Sequence, residues 1–192
     1  DRQGTPRGPP SSCLTVTMTA LTESVTLELE GEGAERVAVI TIDNPPVNAL
    51  SHHVRQGILD GMTQAAADDS VAAIVLICAG RTFIAGADIT EFSSAPKPPS
   101  LPAAQAAMEH CVKPVVAAIH GTALGGGLEV AMCAHFRVAD AGARFGLPEV
   151  KLGLLPGAGG TQRLPRVTGP AKALEMMTSG DPIGSAEALE CG

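Results

Sequence analysis

The sequence predicts an α/β fold in which buried parallel strands alternate with helices. Three observations carry this. Continuous apolar runs of strand length stand at Val71–Cys78 and Val115–Ile119, the pattern of strands covered on both faces of a sheet. Glycine-bearing turns follow them at residues 84–89 and 121–127. Helical patterns come after the turns, so strand, turn and helix recur in that order along the chain. With 192 residues, 45% hydrophobic and 17% charged, the chain has the material for one well-packed core.

Residues 1–17 are rich in Pro, Gly and Ser and carry no periodicity. They are expected to be a disordered or non-native extension, with the working domain spanning 18–192. The alternation in Val25-Thr-Leu-Glu-Leu-Glu predicts a strand, and Gly31-Glu-Gly a turn into a second strand from Val37. Asp43-Asn-Pro-Pro ends it. From Ala49 onward, Leu50, Val54, Ile58 and Met62 recur every four positions, which is one face of an amphipathic helix. The run Val71–Cys78 is the next strand. A glycine-rich connection and a Ser/Pro-rich loop at 93–102, expected to be mobile, lead to a helix near 103–111. Val115–Ile119 is another buried strand, followed by Gly125-Gly-Gly and a helix from about Leu128. Phe136–Ala139 reads as a short strand, 145–150 and 155–162 as loops, and 171–178 as a helix.

The net charge of −7 opposes non-specific nucleic-acid binding, which needs cations to neutralise phosphates. Trp and Tyr are absent and there are four Phe, too few aromatics for a base-stacking platform. The five cysteines form no CxxC pair and no zinc spacing. Cys78 and Cys133 sit in apolar stretches and read as small core residues in a reducing compartment. No apolar run reaches membrane-spanning length and no signal pattern opens the chain. The expectation is a cytoplasmic protein.

Chemistry concentrates in two turns and two carboxylates. Gly125-Gly126-Gly127 joins a strand to a helix. Glycines there let backbone N–H groups face a ligand, and the helix N-terminus adds positive character; a purely structural turn is the alternative. Ile84-Ala85-Gly86-Ala87-Asp88-Ile89 is a second such turn. If its strand neighbours the other, one N–H from each turn converges on a single oxygen and stabilises negative charge there. Glu129 lies in the first turns of the helix after the glycines, and Glu149 follows Pro148 in a loop. Two such carboxylates beside an oxyanion site equip it for acid–base work α and β to a carbonyl. Held close, they do not both ionise easily, so one serves as an acid. Taken singly, each reads first as a solvated residue or a helix-terminus charge; their combination beside the two turns changes that reading.

Four blocks in order, 38–50 (AVITIDNPPVNAL), 85–88 (AGAD), 117–129 (AAIHGTALGGGLE) and 145–163 (FGLPEVKLGLLPGAGGTQR), resemble the crotonase superfamily, the enoyl-CoA hydratase/isomerase family. The likeness runs from about Val25 to the end, and NPPVNAL, IAGADI and AIHG are most similar to the hydratase/isomerase portion of multifunctional fatty-acid β-oxidation enzymes. The resemblance implies a crotonase-like ββα spiral with its C-terminal helical region truncated. It implies hydration of trans-2-enoyl-CoA, with Δ3–Δ2-enoyl-CoA isomerisation, or a non-catalytic acyl-CoA-binding or interaction role, as alternatives. Glu129 and Glu149 become the catalytic pair around one water. The N–H groups of Ala85 and Gly126 become the oxyanion hole, and Ala85, Gly86, Ala87, Asp88, Ile89 and Gly126 touch substrate or its CoA. No metal and no separate cofactor is implied, since coenzyme A is part of the substrate. A homo-trimer or hexamer, or fusion to a dehydrogenase region, is the expected assembly. Arg55, Arg81, Lys97 and Lys113 are unranked contacts for the CoA phosphates. Gln162 and Arg163 are expected to tie the glycine loop to the next helix. His52 and His53 are expected on an exposed helix face and His120 in a structural position, while His110 and His135 show no partner in sequence.

Overall fold

The structure is a computed structural model that describes residues 17–93 and 95–192. The chain opens with β1 (Thr17–Ala20), β2 (Val25–Glu30) and β3 (Arg36–Ile42), an antiparallel meander. The expectation for residues 1–17 lies outside the described residues except at Thr17, which begins β1. Helix α1 (His52–Ala67) crosses over to β4 (Val71–Cys78), which pairs parallel with β3. Then follow α2 (Leu101–Glu109), β5 (Val115–Ile119), β6 (Thr122–Leu124), α3 (Gly126–Ala131), β7 (Phe136–Ala139) and β8 (Arg144–Gly146). The chain continues through α4 (Gly160–Thr168), α5 (Pro170–Ser179), β9 (Ile183–Gly184) and α6 (Ser185–Cys191). Short 3₁₀ turns lie at Ile89–Ser93 and Pro148–Leu152.

Two sheets result. The larger runs β1-β2-β3-β4-β5-β7, antiparallel over its first three strands and parallel beyond. The smaller is β6-β8-β9. The predicted strands at 71–78, 115–119 and 136–139 have the expected bounds. Their environment differs from the expectation. In β4 the residues Ile74, Leu76 and Cys78 are fully buried, whereas the alternating Ala73, Val75 and Ile77 are half-buried. Phe136 and Val138 on the edge strand β7 are about 60% exposed.

The apolar stripe does bury. Val54, Ile58 and Met62 of α1 pack with Ala38, Ile40, Ile42, Ile74 and Leu76 in one core. Leu50 joins that core from outside the helix, bridged to Ala87. The Ser51 hydroxyl caps α1 by accepting from Val54 N–H. Lys113 closes the other end by donating Nζ to the carbonyls of Ala65 and Asp68, which orphan carbonyls at a helix C-terminus require.

Candidate active site

Three segments meet at one place. The carbonyl of Ile84 accepts from Leu124 N–H at 3.0 Å, and Gly125 N–H donates to the Gly146 carbonyl at 2.9 Å. The turn after β4, the turn after β6 and the strand leading to Glu149 are therefore stitched together. The parent strands β4 and β5 are parallel neighbours, as the convergence of the two turns requires. Short β6 intervenes between β5 and the glycines, so the second turn rises from the small sheet. Gly127 packs backbone to backbone on the first turn: a Cβ there would stand 2.0 Å from the Ile84 carbonyl oxygen. That contact requires glycine.

Helix α3 begins at Gly126, two residues earlier than expected, and all six of its residues are buried. The Gly126 N–H belongs to its first turn, where no intrahelical partner exists. The other N–H expected to face that position, that of Ala85, points elsewhere. Ala85 N–H donates to the Val47 carbonyl at 3.1 Å and is already engaged. Two residues on, Ala87 N lies 3.8 Å from the position a Cβ on Gly126 would occupy. The left-handed Gly86 (φ +108°) makes the bend between them. Ala87, inside the same AGAD block, is thus the residue whose N–H adjoins Gly126.

The two carboxylates have unlike surroundings. Glu129 is 2% exposed, and its Oε1 accepts from Ala158 N–H at 2.8 Å and Gly160 N–H at 2.7 Å. Glu149 sits on the 3₁₀ turn Pro148–Leu152, a turn where a loop was expected. Its Oε1 lies 3.1 Å from where a Cβ on Gly125 would be, and its buried Oε2 has no hydrogen-bond partner. Burial pushes the Glu149 carboxyl above the usual carboxylate range, and the neighbouring Glu129 charge pushes it further. The pair is split by environment, one carboxylate anchored and the other poised to hold a proton.

A groove of about 840 Å³ adjoins the first turn, lined among others by Leu50, Ala87, Asp88, Lys97 and Leu101. Asp88 accepts from Thr90, and Ile89 is 69% exposed at the start of the next turn. Of the four cations weighed for phosphate contact, Lys113 is bound to the end of α1. Arg55 is 9% exposed and bound to Glu91 and to the carbonyls of Leu50, Lys97 and Pro99. Both are structural. Lys97 faces the groove. Arg163 does tie the glycine loop to α4, through the Ala158 carbonyl. His53 is exposed and pairs with Glu23, but His52 is half-buried with an unpartnered Nδ1. His120 holds the Gly80 carbonyl, and His135 Nδ1 accepts from Val115 N–H. Cys78 and Cys133 are buried, and burial pushes the Cys133 thiol up to about 12.

Sequence reasoning missed Asn48, Gln105 and the Ala158 and Gly160 donors. Asn48 is buried at φ +53° and donates to the carbonyls of Ala79 and Thr82, fixing the entry to the first turn. A polar residue amid the apolar NPPVNAL block was the available signal.

Comparison with known proteins gives the family. A family profile described as enoyl-CoA hydratase/isomerase matches residues 32–192. A peroxisomal bifunctional enzyme of Danio rerio is 51% identical over 156 residues, covering 81% of this chain and 22% of that protein. A probable enoyl-CoA hydratase of Bacillus subtilis is 49% identical, covering 81% of this chain and 63% of the relative. Among solved structures, an enoyl-CoA hydratase from Bacillus anthracis superposes with a TM-score of 0.77 at 31% identity, over 92% of this chain and 67% of that one. Pseudomonas aeruginosa DspI gives 0.81 at 32%, over 95% and 69%. The chain belongs to the enoyl-CoA hydratase/isomerase family and has the crotonase fold. It spans about a fifth of the bifunctional relative and less than two thirds of the Bacillus subtilis one.

Proposed function

We propose that the chain adds water syn to a trans-2-enoyl-CoA thioester, giving the 3-hydroxyacyl-CoA of fatty-acid β-oxidation. One observation carries the reading: Glu149, its carboxyl raised by desolvation and its buried Oε2 without a partner, stands across the glycine turn from the backbone-anchored Glu129. The thioester oxygen accepts from the N–H groups of Ala87 and Gly126, which stabilise the enolate as charge develops there. Glu129 takes a proton from the water, whose oxygen bonds to Cβ. The Cα=Cβ π pair shifts toward Cα and onto the thioester oxygen as the enolate; as the carbonyl re-forms, the enolate carbon–carbon π pair takes the Glu149 proton at Cα. The protons re-equilibrate through solvent, so the net change is one water added. The step is redox-neutral and draws on hydrogen bonds alone, so the reading calls for no metal and no cofactor beyond the CoA of the substrate. CoA lies along the groove beside Ala87, Asp88 and Ile89, with Lys97 as a phosphate contact.

Isomerisation of a 3-enoyl-CoA at the same site is the second reading, supported by the family description; proton transfer by Glu149 alone serves it. Assembly as a trimer or hexamer, or fusion to a dehydrogenase region, accords with the exposure of Leu152 and Leu155 and with the bifunctional relatives. A non-catalytic acyl-CoA-binding role is the reading that an activity measurement removes. No helix among the described residues is long and apolar enough to cross a membrane. Four described cysteines are free, in keeping with a reducing compartment such as the cytoplasm; several relatives are named peroxisomal or glyoxysomal.

The test follows loss of 2-enoyl-CoA absorbance beside conversion of 3-enoyl-CoA. Glu129→Gln and Glu149→Gln are each expected to lower hydration kcat about 10²-fold or more. Unchanged hydration in both variants overturns the mechanism.

A further inference from the structure

We propose that Gln105 and Arg163 are positioning residues for Glu129, acting through the backbone of Ala158. The inference rests on Glu129 being half of the catalytic pair. The two N–H groups that hold the Glu129 carboxylate lie in the turn Gly157-Ala158-Gly159-Gly160. Three glycines give that turn little conformational preference of its own, so an outside constraint must fix its donors. The Ala158 carbonyl supplies it, accepting from Gln105 Nε2 at 3.0 Å and from Arg163 Nη1 at 3.1 Å. Ala158 is thus held at both ends: its carbonyl by two side chains, its N–H by Glu129.

Both side chains occupy places that need this explanation. Gln105 is 1% exposed on α2, beside the buried Ala104 and Met108. A buried amide without a partner is costly, and its bond to Ala158 offsets that cost. The Arg163 guanidinium folds back over the first turn of α4, within 2.2 Å of where a Cβ on Gly159 would stand. The helix dipole disfavours a cation there. Glu109 compensates by accepting from Nε at 3.1 Å and Nη2 at 2.7 Å, a fork that holds the Glu109 carboxyl below its usual range. A connected path runs from Glu109 through Arg163 and Ala158 to Glu129, joining α2, α4 and α3.

The experiment measures hydration and backbone amide exchange in the full chain. Gln105→Leu is expected to lower kcat about tenfold with KM within about twofold of the unmodified chain. The same substitution in a Glu129→Gln background is expected to change kcat no further, whereas in a Glu149→Gln background the tenfold loss persists. Arg163→Met is expected to lose about as much as Gln105→Leu, and Arg163→Lys, which retains a donor, to recover most of it. Without substrate, the Ala158 and Gly160 amides are expected to exchange at least about tenfold faster in Gln105→Leu, at an unchanged global melt. Equal kcat losses in the unmodified and Glu129→Gln backgrounds overturn the proposal, as does unchanged amide exchange. Should Gln105→Leu fold poorly, the Arg163 pair decides: equal activity of Arg163→Met and the unmodified chain overturns it. Absence of hydration by the unmodified chain overturns the proposed function instead, and amide exchange then decides the clamp alone.

Discussion

Two glycine-rich turns open helices on either side of the Glu129 carboxylate, and they are held in opposite ways. The turn at Gly125-Gly126-Gly127 is fixed by backbone against backbone, with Gly127 pressed onto the Ile84 carbonyl and Gly125 bound to Gly146. The turn at Gly157-Ala158-Gly159-Gly160 is fixed by side chains reaching in from α2 and α4. The first has no room to adjust. The second depends on groups that single substitutions can weaken or restore. On the mechanism proposed above, oxyanion geometry is thereby built into the fold, and the orientation of the general base is adjustable.

The largest expected effect falls on the rigid turn. Gly127→Ala places its Cβ 2.0 Å from a backbone oxygen, and is expected to cost about 3 kcal/mol, the upper end of usual overpacking penalties, with hydration lost. Chemical denaturation checks it; a variant of normal stability and activity breaks the contrast between the turns. Next comes Glu149→Gln, with the roughly 10²-fold kcat loss already stated and KM nearly unchanged in steady-state assays. Gly159→Ala tests the adjustable turn. Its φ of +95° disfavours a side chain, at about 1–2 kcal/mol, and its Cβ displaces the tip of a flexible Arg163. Melting should show a loss smaller than for Gly127→Ala, with kcat down by about tenfold; a larger loss than Gly127→Ala reverses the comparison.

The smallest effect is in the pH dependence. Burial raises the Glu149 carboxyl in the folded chain, so this group contributes stability below its unfolded value, about 4.3, that is lost as pH rises through its folded value. Above that folded value the ionised, half-buried carboxylate opposes folding. Glu149→Gln should then melt a degree or more above the unmodified chain at pH 8, and no higher at pH 4. In the activity profile, kcat of the unmodified chain should fall on the alkaline side as Glu149 loses its proton, a limb absent from the variant. A variant that melts lower at pH 8 contradicts the environment described for Glu149.

Most of the sheet was legible because its strands are apolar runs or alternate with period two, and α1 because Val54, Ile58 and Met62 keep helical spacing. The small sheet was not: β6, β8 and β9 are three, three and two residues long, too short for alternation to register. Glu129 and Glu149 were legible from residue type and flanking glycines. The different places of the Ala85 and Ala87 N–H groups were not, because both residues stand beside Gly86 and only the structure shows the first bonded to Val47 and the second beside Gly126. Gln105 was hidden for another reason. Its partner Ala158 is 53 residues away, and no local pattern marks a side chain whose role is to hold a distant carbonyl.

Arg55 has a consequence for how the groove beside Ala87 behaves. One guanidinium holds the carbonyls of Leu50 and Pro99 at 2.9 and 3.0 Å and the Glu91 carboxylate at 2.8 Å, with the Lys97 carbonyl at 3.3 Å. These groups belong to three chain segments that line the groove, so the planar cation works as a chelator does: once one contact is made, the others form at little further entropic cost. Loosening a single contact leaves these segments tethered by the rest.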